Sequence, residues 1–217
     1  MNSARFFNSF LASTLFLLTP LSGLSQTTLF ANPINGTNPN LDTPFATGQI
    51  LAEGVTSTGI SRGSGINSAN ANDRYNATSW NTASIDLSAY FSWHIEPTPG
   101  HLISFSSFTY TAQTSGAGPT SFAFRSSLDE FAADIGTPIA NGATIDLTDE
   151  VFQNVAAPIE FRLYGWGAAA GNGTFSVNDF TFTGFVSTVP EPNTCAAVFG
   201  ALALVGAVLY RRRRKQV

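Results

Sequence analysis

The chain has 217 residues, 43% hydrophobic and only 11% charged, with 19 phenylalanines, one cysteine and a formal charge of −4. That charge is polarised: five of the ten Lys and Arg form Arg211–Lys215, while between Gln26 and Val189 only Arg62, Arg74, Arg125 and Arg162 face thirteen carboxylates. A body near −9 excludes a nucleic-acid role, which needs basic contacts to phosphate, and the lone Cys195 excludes an intramolecular disulfide.

Residues 1–25 have the order of a secretory signal peptide. Arg5 precedes the apolar stretch Phe10 to Leu18, and Pro20 and small residues follow. Gly23 and Ser25 suit the small positions before cleavage, which predicts a cut after Ser25.

The body, residues 26–188, is one domain's worth of chain. It is rich in Ser, Thr, Asn, Gly and Phe, and alternation of period two recurs along it. Phe91, Trp93 and Ile95 point one way against Ser92, His94 and Glu96; Phe122 and Phe124 alternate with Ser121, Ala123 and Arg125; Phe161 and Leu163 alternate with Arg162, Tyr164 and Trp166. Two runs change phase midway, from Ile103 and Phe105 to Phe108 and Tyr110, and from Phe175 and Val177 to Phe180 and Phe182. A one-residue change of phase predicts a bulge in each strand. Short strands separated by Gly, Pro and Asn predict an all-β fold, an antiparallel sandwich or jelly roll. Residues 27–41 read as a leader or an irregular first strand, and residues 57–76 as a long loop. Leu128, Phe131, Ala132 and Ile135 fall at helical spacing, with Ser127 and Glu130 as a capping box. They predict one or two helical turns, with a plain loop as the alternative.

At the other end Cys195 to Tyr210 carries no charge, and Arg211-Arg212-Arg213-Arg214-Lys215 follows at once. Sixteen residues make about 24 Å of helix, short of a hydrocarbon core of roughly 30 Å by an amount that the leading Asn193 and Thr194, local thinning of the bilayer and snorkelling arginines absorb. An apolar span followed by cations is a stop-transfer pattern with the C-terminus inside. Just before it stands Val189-Pro190-Glu191-Pro192, where two prolines hold the chain extended and out of helix or sheet.

This motif, the apolar span and the terminal Arg cluster, in that order, resemble the PEP-CTERM sorting signal of Gram-negative bacteria. The resemblance covers residues 189–215. It implies recognition of Pro190-Glu191-Pro192 by an exosortase, an integral membrane protease-like enzyme, and delivery to the cell surface. It also implies an association with exopolysaccharide. The stretches Ser121–Asp129, Phe161–Trp166 and Gly173–Phe180 are similar, more loosely, to the β-sandwich ectodomains that precede this signal. That similarity implies a fold and no activity.

Catalytic patterns are sparse. Gly59-Ile60-Ser61-Arg62-Gly63 fits G-x-S-x-G, but the residues after Ser61 cannot start the helix that a nucleophile elbow needs. His94 and His101 flank a turn at residues 97–100 without a third ligand, so no metal is expected. Asp129, Glu130, Asp134, Asp146, Asp149 and Glu150 supply material for a glycosidase pair, or are turn and cap residues. No cofactor is expected. Arg162, Tyr164 and Trp166 share the strand face opposite Phe161 and Leu163, and are a candidate glycan-binding set: Tyr and Trp for sugar rings, Arg for a carboxylate. The expectation is therefore a non-catalytic exported surface or matrix protein. An extracellular glycan-active enzyme on the same fold is the alternative.

Overall fold

The structure, a computed structural model, describes residues 26–189 together with 203–207 and 211. The expected signal peptide, Pro190-Glu191-Pro192, Cys195 and Arg212–Lys215 lie outside the described residues. Of the expected span 195–210 only 203–207 are described, as exposed helix. Among the described residues no helix is long and apolar enough to cross a membrane.

The body is all-β. In chain order the strands are β1 (Thr27–Asn32), β2 (Ile50–Leu51), β3 (Val55–Arg62), β4 (Asn67–Ser68), β5 (Tyr75–Thr78) and β6 (Tyr90–Pro97). There follow β7 (His101–Thr114), β8 (Ser121–Ser126), β9 (Gly142–Asp146), β10 (Ile159–Trp166) and β11 (Phe175–Thr188). Every pairing is antiparallel, in two sheets. The first is centred on β11, with β1 and β5 on one edge and β7 on the other; β2 extends β1, β4 extends β5 and β9 extends β7. The second runs β3-β6-β10-β8.

The inward positions of both sheets are aromatic, and that is why the sheets close on each other. Trp93 of the second sheet has ring centroids 4.8 Å from Phe108, 5.5 Å from Phe180 and 6.0 Å from Phe182 of the first. Phe105 meets Phe161 at 5.4 Å, and Phe108 stacks on Phe124 at 4.7 Å. Each ring removes about 150–250 Å² from water, so this seam supplies most of the driving force for folding.

Both changes of phase are bulges. Along β7 and β11, Val177 pairs with Ala112 but Asp179 with Thr111, so Asn178 is the extra residue of β11. Thr183 pairs with Ser107 but Gly184 with Phe105, so Ser106 is the extra residue of β7. Each bulge returns the next phenylalanine to the core.

Of three local expectations, one needs correction and two hold in part. Residues 57–76 are not one loop: β3 runs to Arg62, and β4 and β5 follow within the same stretch. The reason is burial. Ile60 and Tyr75 are fully buried, and Tyr75 packs on Phe45 and Phe91, which outweighs the Gly, Ser and Asn around them. Of the two readings of residues 27–41 the irregular strand holds for 27–32: β1 puts Leu29 and Phe30 in the core, and its register against β11 shifts between Thr28 and Phe30. The helical pattern after Ser126 gives a single 3-10 turn, Ser127–Asp129, because Glu130 and Phe131 both take positive φ (59° and 62°). No capping box forms: the Ser127 hydroxyl accepts instead from the Glu160 N–H at 3.0 Å.

Candidate functional site

The outer face of the second sheet carries the predicted Arg162, Tyr164 and Trp166. β10 lies between β6 and β8, and its register sets Arg162 opposite Arg125 and Tyr164 opposite Tyr90. Two arginines directly opposite each other repel. Each is therefore held by a carboxylate: Arg162 Nε donates to Glu160 at 2.8 Å, and Arg125 Nε to Asp134 at 2.6 Å. The Arg162 guanidinium also lies over two rings, 4.2 Å from the Tyr90 centroid and 3.8 Å from that of Phe131. Its position explains the turn after Ser126. The two consecutive left-handed residues lay Phe131 over the sheet, and Arg125 Nη1 donates to the Phe131 carbonyl at 3.0 Å. Burial alone would lower the Arg162 pKa, but the Glu160 carboxylate and the Tyr164 and Tyr90 phenols beside it together outweigh burial and raise the value.

Tyr164 lies at the bottom of this cluster. It is fully buried, and its hydroxyl has no hydrogen-bond partner. Burial pushes its pKa up, against the opposing effect of the neighbouring arginines. Arg162 and Tyr164 are therefore committed to internal contacts, and Trp166, half-buried at the strand end, is the one of the three without such a cluster. The partners Tyr90, Arg125, Phe131 and Glu160 were not legible as a group, because only strand register brings β6, β8 and β10 together.

The acidic residues after β8 do converge. Asp129, Asp134, Asp146 and Asp149 line one cavity of about 440 Å³, with Leu128, Val151 and Phe152 as its apolar wall. Three of these carboxylates already have structural work. Asp129 accepts from the N–H groups of Ala132 and Ala133, Asp134 holds Arg125, and Asp146 caps the Thr148 N–H at 2.9 Å. The bonds from Thr148 hold Asp146 below its ordinary pKa. Glu130 and Glu150 do not line the cavity. Among the described residues no set of three or more His, Cys, Asp or Glu is placed to hold a metal ion.

The remaining candidates separate. His94 lies on β6 and pairs with Glu160, whereas His101 opens β7 in the other sheet and shares a 2.9 Å hydrogen bond with Thr98. Ser61 is paired within β3 opposite Ser92, one residue before the strand ends, and is not the tip of an elbow. The glycine of that pattern has another cause. Gly59 sits at φ 107°, and a Cβ there would lie 2.1 Å from the Phe45 carbonyl oxygen, where Phe45 bridges to Ile60.

Of the expected sorting motif only Val189 is described. Thr188 pairs with His101, and the Val189 N–H donates to the Gly100 carbonyl at 2.8 Å, so main-chain pairing continues to the residue before Pro190. The Val189 side chain is exposed, as is Arg211 of the expected tail. No protein-family model matches the chain, and no curated protein matches it.

Proposed function

We propose that this chain is an exported envelope protein, made with a signal peptide at residues 1–25 and held at a membrane by residues 195–210. Pro190-Glu191-Pro192 is read by an exosortase-like membrane enzyme, and the β-sandwich body is a non-catalytic ectodomain of the cell surface or extracellular matrix, associated with exopolysaccharide. The observation that carries this reading is the fixed order of Val189-Pro190-Glu191-Pro192, an uncharged span and five adjacent cations. It is supported by where the body stops: hydrogen bonding reaches Val189 and meets two residues, Pro190 and Pro192, that have no N–H to continue it. The non-catalytic part draws on the acidic cavity. Three of its four aspartates are bonded within the fold, Asp129 to the Ala132 and Ala133 N–H groups, Asp134 to Arg125 and Asp146 to Thr148.

The test is the mass of the surface form in the native host. Mature protein lacks Arg211–Lys215, and Glu191→Ala leaves the full-length chain in the membrane fraction. An intact tail on wild-type surface protein overturns the processing claim.

A further inference from the structure

We infer that one end of the sandwich, formed by the β6–β7 turn (residues 97–101) and the β2–β3 turn (residues 52–54), faces a lipid surface and that the strands stand upright on it; this rests on the anchoring proposed above. The two turns are one unit. The Thr98 N–H donates to the Gly54 carbonyl at 2.9 Å, and a Cβ on Gly54 would lie 2.7 Å from the His101 ring.

Three observations place the lipid at this end. The chain leaves here, with Thr188 opposite His101 and Val189 bonded to Gly100. From Val189 to the first residue of the span, Cys195, six peptide links reach about 20 Å at most. The chain also enters near here: Thr27 pairs with Gly184, four residues from Thr188 or about 13 Å along the strand, and Gln26 bonds to Thr183 at 2.7 Å. The two ends of the body, Gln26 and Val189, thus lie toward the same end of the sandwich, the one from which residues 195–210 follow.

The opposite end is out of reach. β7 runs 14 residues from His101 to Thr114, about 45 Å, so the turn at Gly116 comes near lipid only if the body lies flat. Charge opposes lying flat. The body is near −9, and an anionic headgroup layer repels each carboxylate laid against it. Among residues 52–54 and 96–101 there is no Lys or Arg, and Glu53 and Glu96 are exposed, so this end faces the headgroups without inserting.

The test uses the full chain, made in a host without a processing enzyme and reconstituted in vesicles of phosphatidylcholine and phosphatidylglycerol. A fluorophore is placed at Pro99→Cys or Gly116→Cys on a Cys195→Ala background, and a lipid with a paramagnetic headgroup quenches it at short range. Both positions are exposed, and Gly116 has open space where a side chain would go. Quenching is expected to be several-fold stronger at 99 than at 116. Inserting about ten Gly and Ser residues after Thr188, which adds roughly 17 Å of mean reach, weakens it at 99. Equal quenching at the two positions, or no response to the insertion, overturns the orientation while leaving the anchor intact. A chain that does not float with the vesicles overturns the anchor and the orientation with it.

Discussion

Tyr110 offers a stability test with a sign that depends on pH. Its ring stacks on Phe108 in the core, and its hydroxyl holds the 136–141 loop to β7 by donating to the Ile139 carbonyl at 2.8 Å and accepting from the Ile139 N–H at 2.9 Å. Tyr110→Phe keeps the ring and removes both bonds, which costs about 1–2 kcal/mol at pH 8. Burial raises the Tyr110 pKa from 10.0 to about 12. The fold therefore favours the neutral phenol. Its contribution is complete below pH 10, where the unfolded chain is also protonated, and is lost as pH rises toward 12. By pH 11.5 the shift removes about 2 kcal/mol from the wild type and nothing from the phenylalanine variant. Denaturant unfolding of residues 26–189, followed by near-ultraviolet circular dichroism at pH 8 and 11.5, measures both quantities. The advantage of the wild type should vanish or reverse between them. A gap that stays constant would refute the assignment of a buried, hydrogen-bonded Tyr110.

Gly59→Ala should destabilise by about 2–5 kcal/mol, from positive φ plus the clash with Phe45, whereas Ser61→Ala should stay within about 0.5 kcal/mol; equal effects would reopen the serine as a functional residue. Phe182 packs on Phe30, Trp93, Phe105, Phe108 and Phe161. Its truncation to alanine should cost about 3–5 kcal/mol in the same unfolding assay, and a loss under about 1 kcal/mol would contradict the core described here. Tyr164→Phe removes a buried hydroxyl that has no partner, so the melting temperature should hold or rise. A clear fall would mean that the hydroxyl is bonded.

Much of the sandwich is legible in one dimension because its strands bury one face each. The alternation at Phe91, Trp93 and Ile95 names the inward residues of β6 directly, and the phase changes at Ser106 and Asn178 mark bulges without any knowledge of the partner strand. What is not legible depends on pairs distant in sequence. Tyr75 is kept in a strand by Phe45 and Phe91, which no local pattern around residues 57–76 can announce. The helical spacing of Leu128, Phe131 and Ile135 is overridden because Phe131 is drawn onto Arg162, and that contact exists only once β8 and β10 have paired. The face shared by Arg162 and Tyr164 follows from alternation, but whether it is open follows from the loop above it. Burial of Tyr164 is a tertiary fact.

The position of β11 in its sheet has a consequence for the order of folding. β11 is the last strand of the body, yet it is the one to which β1, β5 and β7 are all bonded, with thirteen register pairs to β7 alone. Until residues 175–188 are free, those three strands have no common neighbour, and Phe180 and Phe182 are missing from beneath Trp93. Contacts of such long sequence separation form late and together. A chain threaded through a membrane from its N-terminus would thus emerge without the strand that closes its sheet and would remain an open polymer for most of the passage. It could collapse only when the segment joining the body to residues 195–210 arrives. Completion of the fold and arrival of the C-terminal segment are then a single event.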